Sequence, residues 1–480
     1  MIRKFIWTAV EKFGSQLINL IVQLVLARIL APEAFGLIGL IQIFIAIAQV
    51  LVEAGIGNFI IQRKDLSKDD IFTSLSINVV IAFITYIIIF LIAPFVGEFY
   101  EQPIVINLLR TYAIVFILQS TYIINQSFAI RNFDFRKVAL ISLSSSIVSA
   151  LLSITIAIFY QSVYVLVFQQ LIYQIFKSVL FFFKGAWSFK FYFNKISLKK
   201  IHSYSTNLLI IGVLNQVFNY AYLIVAGKMF SVKEAGFYSM SLMLIGYGVT
   251  SLSTIIERVS LPILSRLFHC SLSDYKKMLF NFSQLSILLL SSFSFLISIY
   301  SEELTMLFLG PKWHGASTVM FYVGLSFLMF PVSILSYTIF KTNGKTKTFL
   351  KGSIISKIFI IVSIVISFNS SLENLLLSQV IAQYISALMF IILACYSLKL
   401  SVFELINNHS KLLVFLTMFF SIQLIFKTYT SWFVIMKIVS AFFFTILLNS
   451  IFKIYDLKLL YKSLSLIQTN HFLEINNKNN

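Results

Sequence analysis

Charged residues are scarce in this chain, and their scarcity is the first guide to its class. Of 480 residues only 11% are charged, while 59% are hydrophobic. A soluble chain is about one quarter charged. The mean hydropathy of +0.92 therefore indicates an apolar solvent, and the composition leaves no room for a soluble catalytic domain.

Cysteine and histidine are also few. The two cysteines, Cys270 and Cys395, fall on or near the side of the membrane that the basic residues predict to be cytoplasmic, so we expect no structural disulfide. The five histidines are scattered without metal-ligand spacing. We therefore predict no metal and no cofactor, and no catalytic triad or paired-acid cleft indicates an enzyme.

Long apolar segments fill the chain instead, and a membrane-spanning helix needs about 20 such residues. They are apolar on all sides, unlike the short alternating strands of a membrane barrel. Polar residues interrupt the first segment and no small-residue cleavage site follows it, so we expect a retained span rather than a signal peptide. The predicted spans are 9–30, 37–60, 74–97, 105–128, 138–160, 163–183, 206–228, 237–257, 280–300, 317–340, 350–369, 375–398, 411–429 and 433–453.

The net charge of +19 predicts orientation rather than nucleic-acid binding. If the N-terminus is cytoplasmic, the termini and the even-numbered loops carry most of the 37 lysines and arginines. That bias follows the positive-inside rule. We therefore expect a multi-pass protein of the bacterial inner membrane with both termini in the cytoplasm.

The chain also divides into two similar halves. Shifting the sequence by about 200 residues places Gln16 on Gln216, Asn19 on Asn219, Arg28 on Lys228 and Gly36 on Gly236. Six spans per half would make a parallel repeat, as in several transporter families, although two apolar stretches also align by chance. The predicted organisation is a six-helix bundle over 1–183, a basic cytoplasmic linker over 184–205, a second six-helix bundle over 206–398, two extra helices over 399–467 and a disordered tail over 468–480.

Three stretches carry a family resemblance. They are LARILAPEAFGLIG (26–39) continuing to LVEAGIGNFIIQRK (51–64), RVSLPILSRL (258–267), and LFLGPKWHGA (307–316) followed by TNGKTK (342–347). Together they resemble the polysaccharide-transporter branch of the multidrug/oligosaccharidyl-lipid/polysaccharide exporter superfamily, which includes the O-antigen and capsule-unit flippases. The resemblance implies about 14 helices in two bundles around a central, often cationic cavity that opens alternately to each side.

It also implies a function. Such a protein moves oligosaccharide repeat units, carried on undecaprenyl pyrophosphate, from the cytoplasmic to the periplasmic leaflet for O-antigen, capsule or exopolysaccharide synthesis. Its partners would be this substrate, membrane lipids, and a polysaccharide polymerase and chain-length regulator. Two alternatives stay open: a drug/cation antiporter of the same superfamily, and a membrane-embedded polymerase or ligase.

Polar side chains share faces of several predicted spans. Because polar groups facing lipid are costly, these faces should point to a hydrated interior or to other helices. One interpretation is a cavity that binds sugar hydroxyls, and the other is interhelical hydrogen bonding. The candidate residues are Gln16, Asn19 and Gln23 in span 1, Gln42 and Gln49 in span 2, and Asn215, Gln216 and Asn219 in span 7.

Basic residues within or beside the spans are candidates for binding the pyrophosphate, since an unpaired buried phosphate is prohibitively costly. The set is Lys12, Arg28, Lys177, Lys228 and Lys357. The alternative roles are ordinary ones. Lys177 and Lys357 could extend to the cytoplasmic interface, Lys12 could neutralise its neighbour Glu11, and Arg28 and Lys228 could anchor outer helix ends.

Two acidic residues, Glu11 and Glu53, are candidates for coupling transport to a proton or sodium gradient. Glu53 could instead pair with a basic loop. Trp313, in the turn before span 10, is predicted to be an interfacial aromatic anchor, with sugar stacking as the alternative. The GKT at 344–346 lacks the earlier glycine of a phosphate-binding loop, so we predict no ATP-driven pump.

Overall fold

The computed structural model describes residues 2–53, 56–63, 65–184, 190–398 and 401–429. Within these ranges the chain is helical, with one short 3₁₀-helix at Pro311–Trp313 and no strand. The helices are α1 (Ile2–Ile29), α2 (Pro32–Glu53), α3 (Ile56–Gln62), α4 (Lys68–Phe99), α5 (Ile104–Ser120), α6 (Ile123–Arg131), α7 (Phe135–Phe159), α8 (Tyr164–Lys184), α9 (Lys195–Asn219), α10 (Ala221–Met229), α11 (Val232–Cys270), α12 (Leu272–Ile299), α13 (Ser301–Phe308), α14 (Ala316–Phe327), α15 (Phe330–Thr342), α16 (Thr346–Ile366), α17 (Leu372–Leu398) and α18 (Val402–Tyr429).

Among the described residues, ten helical segments are long and apolar enough to cross a membrane, or up to twelve if each bent pair is one span. Large apolar side chains such as Leu91 and Phe95 are exposed along α4, as expected of surfaces that face lipid. The prediction of an all-α multi-pass membrane protein is confirmed. The number fourteen stays a prediction, because 433–453 and the tail 468–480 lie outside the described ranges.

Several predicted continuous spans are broken. The span predicted over 105–128 consists of α5 and α6, bent by 41°, and the span over 317–340 consists of α14 and α15. At the first break, the Ser120 and Thr121 hydroxyls donate to the carbonyls of Ile117 and Leu118, which bends a helix. At the second, Pro331 supplies no N–H to continue the helix. The segment 206–228 is helical as α9 and α10 but is not among the ten segments.

Contacts divide the chain into two compact units. Unit 1 contains Met1–Met240 and Phe308–Gly315, and unit 2 contains Ser241–Leu307 and the residues from Ala316 onward. Unit 1 thus includes 206–240, which the sequence repeat assigns to the second bundle. The division into bundles 1–183 and 206–398, with a linker over 184–205, stays a prediction.

Within unit 1, α7 packs between α1 and α8, while α5 packs against α4, α8 and α2. Within unit 2, α17 packs against α14, α15 and α16, and α12 packs against α14, α15 and α18. We call the side of unit 1 where α1 begins the predicted inner side, following the distribution of basic residues, and the opposite side the predicted outer side.

Candidate functional site

A polar cavity of about 390 Å³ lies in unit 1 at the predicted inner side. It forms where the last turns of α2, the short α3, the bend between α5 and α6, and the inner half of α8 come together. The lining residues are Gln49, Glu53, Gly57, Asn58, Ile61, Gln119, Tyr122, Ile123, Gln126, Ser127, Ile130, Tyr173, Gln174 and Lys177.

Two local features hold this cavity open. The bend at Thr121–Tyr122 lets α5 and α6 present Gln119, Tyr122 and Gln126 to one space. The Arg131 guanidinium at the end of α6 donates to the carbonyls of Ile60 and Arg63. Those carbonyls have no intrahelical donor at the end of a helix, so Arg131 fixes α3 beside the bend.

Lys177 is the central charge of the cavity. Its side chain is only 7% exposed, so it does not extend to an exposed interface. The ammonium donates a hydrogen bond to the Tyr173 hydroxyl at 3.3 Å and lies 4.9 Å from the centroid of the Tyr122 ring and 5.3 Å from that of Tyr173. Among the described residues no carboxylate lies within 4.0 Å of this ammonium.

A buried cation without a paired anion is costly, and aromatic rings offset only part of that cost. Cation–π contacts contribute about 2 kcal/mol when desolvated, while removal of an ion from water costs several kcal/mol. The hydrogen-bonding neighbours of Lys177 in the described chain are the Tyr173 and Tyr122 hydroxyls rather than a carboxylate. This arrangement favours binding of an anion beside Lys177.

The amides of the cavity supply hydrogen-bonding groups next to this charge. Tyr122 donates to the Gln174 side-chain carbonyl at 2.6 Å. Gln119 is only 5% exposed, and its Oε1 has no hydrogen-bond partner in the part of the chain that the structure describes. Leaving such a group unpaired costs about 1–3 kcal/mol, so a hydroxyl donor entering the cavity would be favoured. The lining can thus bind an anionic group and a neighbouring hydroxyl.

Glu53 lies at the rim of the cavity rather than in its interior. Its carboxylate is exposed and accepts a hydrogen bond of 2.6 Å from the Gln49 amide. It forms no ion pair with a basic side chain in the described part of the chain. Lys64 of the neighbouring basic loop lies outside the described residues, so both the pairing of Glu53 with a basic loop and its role in ion coupling stay predictions.

The candidate residues of α1 do not line the cavity. Glu11, Lys12, Gln16 and Asn19 are half-buried, and α1 packs against α7. Glu11 accepts a hydrogen bond of 3.4 Å from Ser142 and interacts electrostatically with Lys177. Glu11, at the contact between α1 and α7, thus supplies negative charge near Lys177 without forming a direct ion pair with it.

The remaining candidates are spread over other helices. Gln23 donates to Gln169 at 3.0 Å, an amide–amide bond between α1 and α8, and Gln42 donates to the Tyr220 hydroxyl at 3.5 Å. A further group lies outside the cavity lining: Asn215, Gln216 and Asn219 on α9, and the half-buried Lys357 on α16 in unit 2. Of the predicted residues, the cavity therefore brings together Gln49, Glu53 and Lys177.

Arg28 and Lys228 lie at the predicted outer side, where they make reciprocal contacts within unit 1. Arg28, near the end of the first predicted span, donates from Nε to the Phe308 carbonyl at 3.0 Å. Lys228, its counterpart 200 residues later, forms an ion pair with Glu101 at 2.8 Å. Arg28 thus contacts the last residue of α13, and Lys228 contacts the turn after α4; these segments follow the third span of each predicted half.

Two glycines with the same spacing make the closest approach in this region. A Cβ on Gly36 would lie 1.8 Å from the Val232 carbonyl oxygen, and one on Gly236 would lie 2.1 Å from the Pro32 carbonyl oxygen. Only glycine permits such contact between helix backbones. We name this region the outer junction, which comprises Arg28, Pro32–Gly36, Glu101, Lys228, Val232–Gly236 and Phe308–Gly315.

Trp313 forms the core of the outer junction, and the prediction of an interfacial anchor is wrong. Its side chain is fully buried, and its indole N–H donates to the Ala27 carbonyl at 2.8 Å. The Phe35 ring approaches edge-on, with centroids 5.3 Å apart, and Phe237 lies 6.0 Å away. Gly310, with φ of 91°, makes the turn that directs the indole inward.

Sequence reasoning did not identify Gln119, Tyr122 and Gln126 on α5 and α6, or Tyr173 on α8, as neighbours of Lys177. Gln119, Tyr122 and Gln126 are separated by three and four residues in the predicted span over 105–128. Residues at that spacing share one helix face, so this signal was present in the sequence. Tyr173, four residues before Lys177, gives the same indication on α8.

Comparisons with known proteins agree with this geometry. A model of the family described as "Polysaccharide biosynthesis protein" matches residues 25–318, more than half of the chain. The chain therefore belongs to this family of polysaccharide biosynthesis proteins, and the resemblance drawn from the three sequence stretches is confirmed.

Two curated relatives illustrate the similarity. The lipopolysaccharide biosynthesis protein WzxC of Escherichia coli K12 is 23% identical over 319 residues, covering 65% of this chain and 64% of WzxC. The teichuronic acid biosynthesis protein TuaB of Bacillus subtilis 168 is 22% identical over 320 residues, covering 65% of each chain. The chain thus matches slightly less than two thirds of the length of these relatives.

Solved structures show the same fold at low identity. The lipid II flippase MurJ in its inward closed conformation superposes with a TM-score of 0.72 at 15% identity, covering 93% of this chain and 98% of MurJ. An inward-facing multidrug resistance transporter of the MATE family gives a TM-score of 0.63 at 11% identity, covering 80% of this chain and 94% of its own. The chain therefore shares its fold with MurJ and with this MATE transporter.

Proposed function

We propose that this protein is a flippase, not an enzyme, that moves lipid-linked oligosaccharide repeat units across the membrane for surface polysaccharide synthesis. The substrate is an oligosaccharide on undecaprenyl pyrophosphate, taken from the cytoplasmic leaflet and released to the periplasmic leaflet. The observation that carries the proposal is the buried Lys177 ammonium, which has no carboxylate within 4.0 Å among the described residues, in a polar cavity at the predicted inner side.

The chemistry of that cavity suits a phosphorylated sugar. Lys177 offers donors to a phosphate oxygen, while the unpaired Gln119 oxygen offers an acceptor to a sugar hydroxyl. Tyr122 and Tyr173 supply aromatic surface beside both. A bound pyrophosphate would offset the free-energy cost of burying the Lys177 charge, because opposite charges attract strongly where water is excluded.

Relatives with related names support the same substrate class. WzxC and TuaB are named for lipopolysaccharide and teichuronic acid biosynthesis, and ExoT of Rhizobium meliloti is named a succinoglycan biosynthesis transport protein. MurJ, similar in fold, is named a lipid II flippase. WzxC, TuaB and ExoT are thus named for the synthesis of a polysaccharide, and the names of ExoT and MurJ describe transport or flipping.

The outer junction supports a second part of the proposal. Arg28 and Lys228 are engaged at the outer side in this conformation, so both would be released when the outer side opens. They would then be available to the pyrophosphate as it leaves Lys177. Lys12 and Lys357 are proposed as intermediate contacts, and Glu11 and Glu53 as sites that couple transport to an ion gradient.

The wider arrangement is proposed with it. The bundles 1–183 and 206–398 would alternate their opening in the bacterial inner membrane, with both termini in the cytoplasm. A polysaccharide polymerase and a chain-length regulator would use the product on the periplasmic side.

The test is complementation of a bacterial strain that lacks its own flippase for a surface polysaccharide matched to this protein. Lys177→Met should reduce surface polysaccharide to background because the cavity loses its cation. Lys177→Arg should retain part of the activity. Lys184→Gln, which removes an exposed lysine from the same helix, is the matched control and should remain active.

Expression and membrane insertion are measured by immunoblotting of membrane fractions. Lys12→Ala and Arg28→Ala are assayed in the same strain, and each should lower the amount of polysaccharide. Full activity of Lys177→Met at normal expression would show that an anion does not bind here. Wild-type protein that exports a cationic dye but no polysaccharide would support the antiporter alternative.

A further inference from the structure

Hydrogen bonds attach the segment that leads into α9 to the N-terminal part of α4. The backbone N–H of Tyr192 donates to Ser76 at 2.8 Å, and that of Asn194 donates to Thr73 at 3.1 Å. The Ser76 hydroxyl in turn donates to the Lys190 carbonyl. Residues 190–194, which we call the strap, are therefore held against α4 by hydrogen bonds.

Two aspartates of α4 complete this attachment. Asp69 accepts from the Asn194 amide at 3.0 Å and from the Tyr192 hydroxyl at 3.3 Å. Asp70 accepts from the Ser197 hydroxyl at 2.6 Å and interacts electrostatically with Lys200. Both carboxylates therefore have hydrogen-bond partners in the segment that contains the strap and the first turn of α9.

The outward side of the strap is apolar. The side chains of Tyr192 and Asn194 contact Asp69 of α4, whereas Phe191 and Phe193 lie on the exposed side of the strap. They are 60% and 48% exposed, and their rings meet edge-to-face with centroids 5.1 Å apart. Ile196, in the first turn of α9, is 67% exposed.

Basic residues surround this apolar surface. A surface pocket of about 550 Å³ is lined by Lys195, Ile196, Lys199 and Lys200. Lys195 and Lys199 are one helical turn apart on α9 and exposed. Neither of them, nor Lys190, forms an ion pair within the described residues, so their charge is open to an external partner.

We propose that the strap and the first turns of α9 form a binding site for an anionic phospholipid of the bilayer. Phosphate oxygens of the head group would bind Lys195 and Lys199, while Phe191, Phe193 and Ile196 would contact the glycerol and the upper acyl chains. Aromatic and basic residues are the side chains that hold protein segments at the membrane interface. This site is separate from the Lys177 cavity and does not depend on the proposed transport function.

The proposal is tested by titrating purified protein in detergent with phosphatidylglycerol or with phosphatidylcholine of the same acyl chains, counting bound lipids by native mass spectrometry. Wild type should bind phosphatidylglycerol more tightly. Lys195→Gln with Lys199→Gln should weaken that binding about 30-fold, which corresponds to about 2 kcal/mol for two lysines near an anionic surface.

The matched control is Lys347→Gln with Lys351→Gln. These lysines are also exposed, four residues apart and in the first turns of a helix, α16, so the control removes the same charge. Phosphatidylglycerol binding by this control should stay within about threefold of wild type, because Lys347 and Lys351 lie on α16 and not at the strap. A threefold change is about half of the free energy of a tenfold change, which is about 1.4 kcal/mol. Equal loss in both variants would show a general charge effect and overturn the proposal.

Two further measurements test the chemistry. Phe191→Ser with Phe193→Ser keeps the lysines and should weaken binding of both lipids, and size-exclusion chromatography shows whether each variant is folded. Equal affinity of wild type for the two lipids would overturn the proposal. So would displacement of phosphatidylglycerol from this site by a lower concentration of undecaprenyl phosphate, because the site would then bind the carrier lipid.

Discussion

The two ends of unit 1 are built in opposite ways. At the predicted inner side, helices diverge around a cavity of about 390 Å³ that contains a buried lysine and an unpaired amide oxygen. At the outer junction, backbones approach so closely that a single methyl group on Gly36 would strike the Val232 carbonyl. The inner end contains a buried lysine without a paired carboxylate and a buried amide oxygen without a partner among the described residues, and the outer junction has no space for a side chain between its backbones.

This difference separates groups that serve a ligand from groups that serve the fold. In the outer junction the Trp313 indole, the Arg28 guanidinium and the Lys228 ammonium each have a partner within the protein. In the cavity, the Gln119 oxygen has no hydrogen-bond partner and Lys177 no paired carboxylate among the described residues. Buried polar groups are normally satisfied, so these two neighbouring groups favour the binding of another molecule in the cavity.

The largest expected effect on stability is that of Trp313→Ala in the outer junction. Truncation of a buried tryptophan costs about 3–5 kcal/mol, and the Ala27 carbonyl would also lose its donor. The measurement is the free energy of unfolding in detergent. Trp7→Ala, which removes a half-buried tryptophan of α1, is the control and should cost much less. Equal losses would show that the outer junction is not specially packed.

A smaller loss is expected for Gly36→Ala. The new methyl group would lie 1.8 Å from a backbone oxygen, so α2 and α11 must shift apart at a cost of about 1–3 kcal/mol. Thermal unfolding and polysaccharide complementation should both show the loss. The control is Gly246→Ala in α11. A Cβ at Gly246 would have no packing neighbour among the described residues within 4 Å, so this change should be neutral or stabilising. A Gly36→Ala protein as stable as wild type would contradict the close approach.

The opposite sign is expected in the cavity for Gln119→Leu. This change removes an unpaired buried oxygen at nearly constant volume, so stability should rise by about 1 kcal/mol while transport falls. The control is Gln169→Leu, because Gln169 is equally buried but accepts a hydrogen bond from Gln23. That variant should lose stability. A loss of stability in both would mean that Gln119 has a structural partner.

The smallest expected effect is that of the exposed ion pair between Glu101 and Lys228. The Lys228 ammonium lowers the pKa of the Glu101 carboxyl below its usual range by hydrogen bonding and by charge. A lowered pKa in the folded state stabilises the fold above the unfolded pKa, and the contribution disappears as the pH falls through the lowered value. Exposed pairs contribute little.

Unfolding temperatures of wild type and Glu101→Gln measured between pH 7 and pH 3 in low salt test this point. The difference should be small at neutral pH and vanish at the acidic end. A difference that grows as the pH falls would mean that Glu101 does not act through its charge. Added salt should reduce the neutral-pH difference.

Individual residues show how far sequence reasoning reached into the site. Lys177 was identified because a lysine within an apolar span is conspicuous, and Arg28 and Lys228 because they occupy equivalent positions 200 residues apart. Trp313 was misassigned, since a tryptophan in a short turn between spans has the same local sequence whether it faces lipid head groups or a protein core. Its partner Ala27 is 286 residues away.

The sequence by itself determined the class of this protein. Length of apolar segments and shortage of charge are local properties, and a bilayer selects helices from them without reference to any distant residue. Only the tertiary structure decided which polar residues share a space. Tyr122 meets Gln174 and Lys177 across some fifty positions of sequence, because helix bending and packing set those distances and neither is encoded in the spacing of residues along one span.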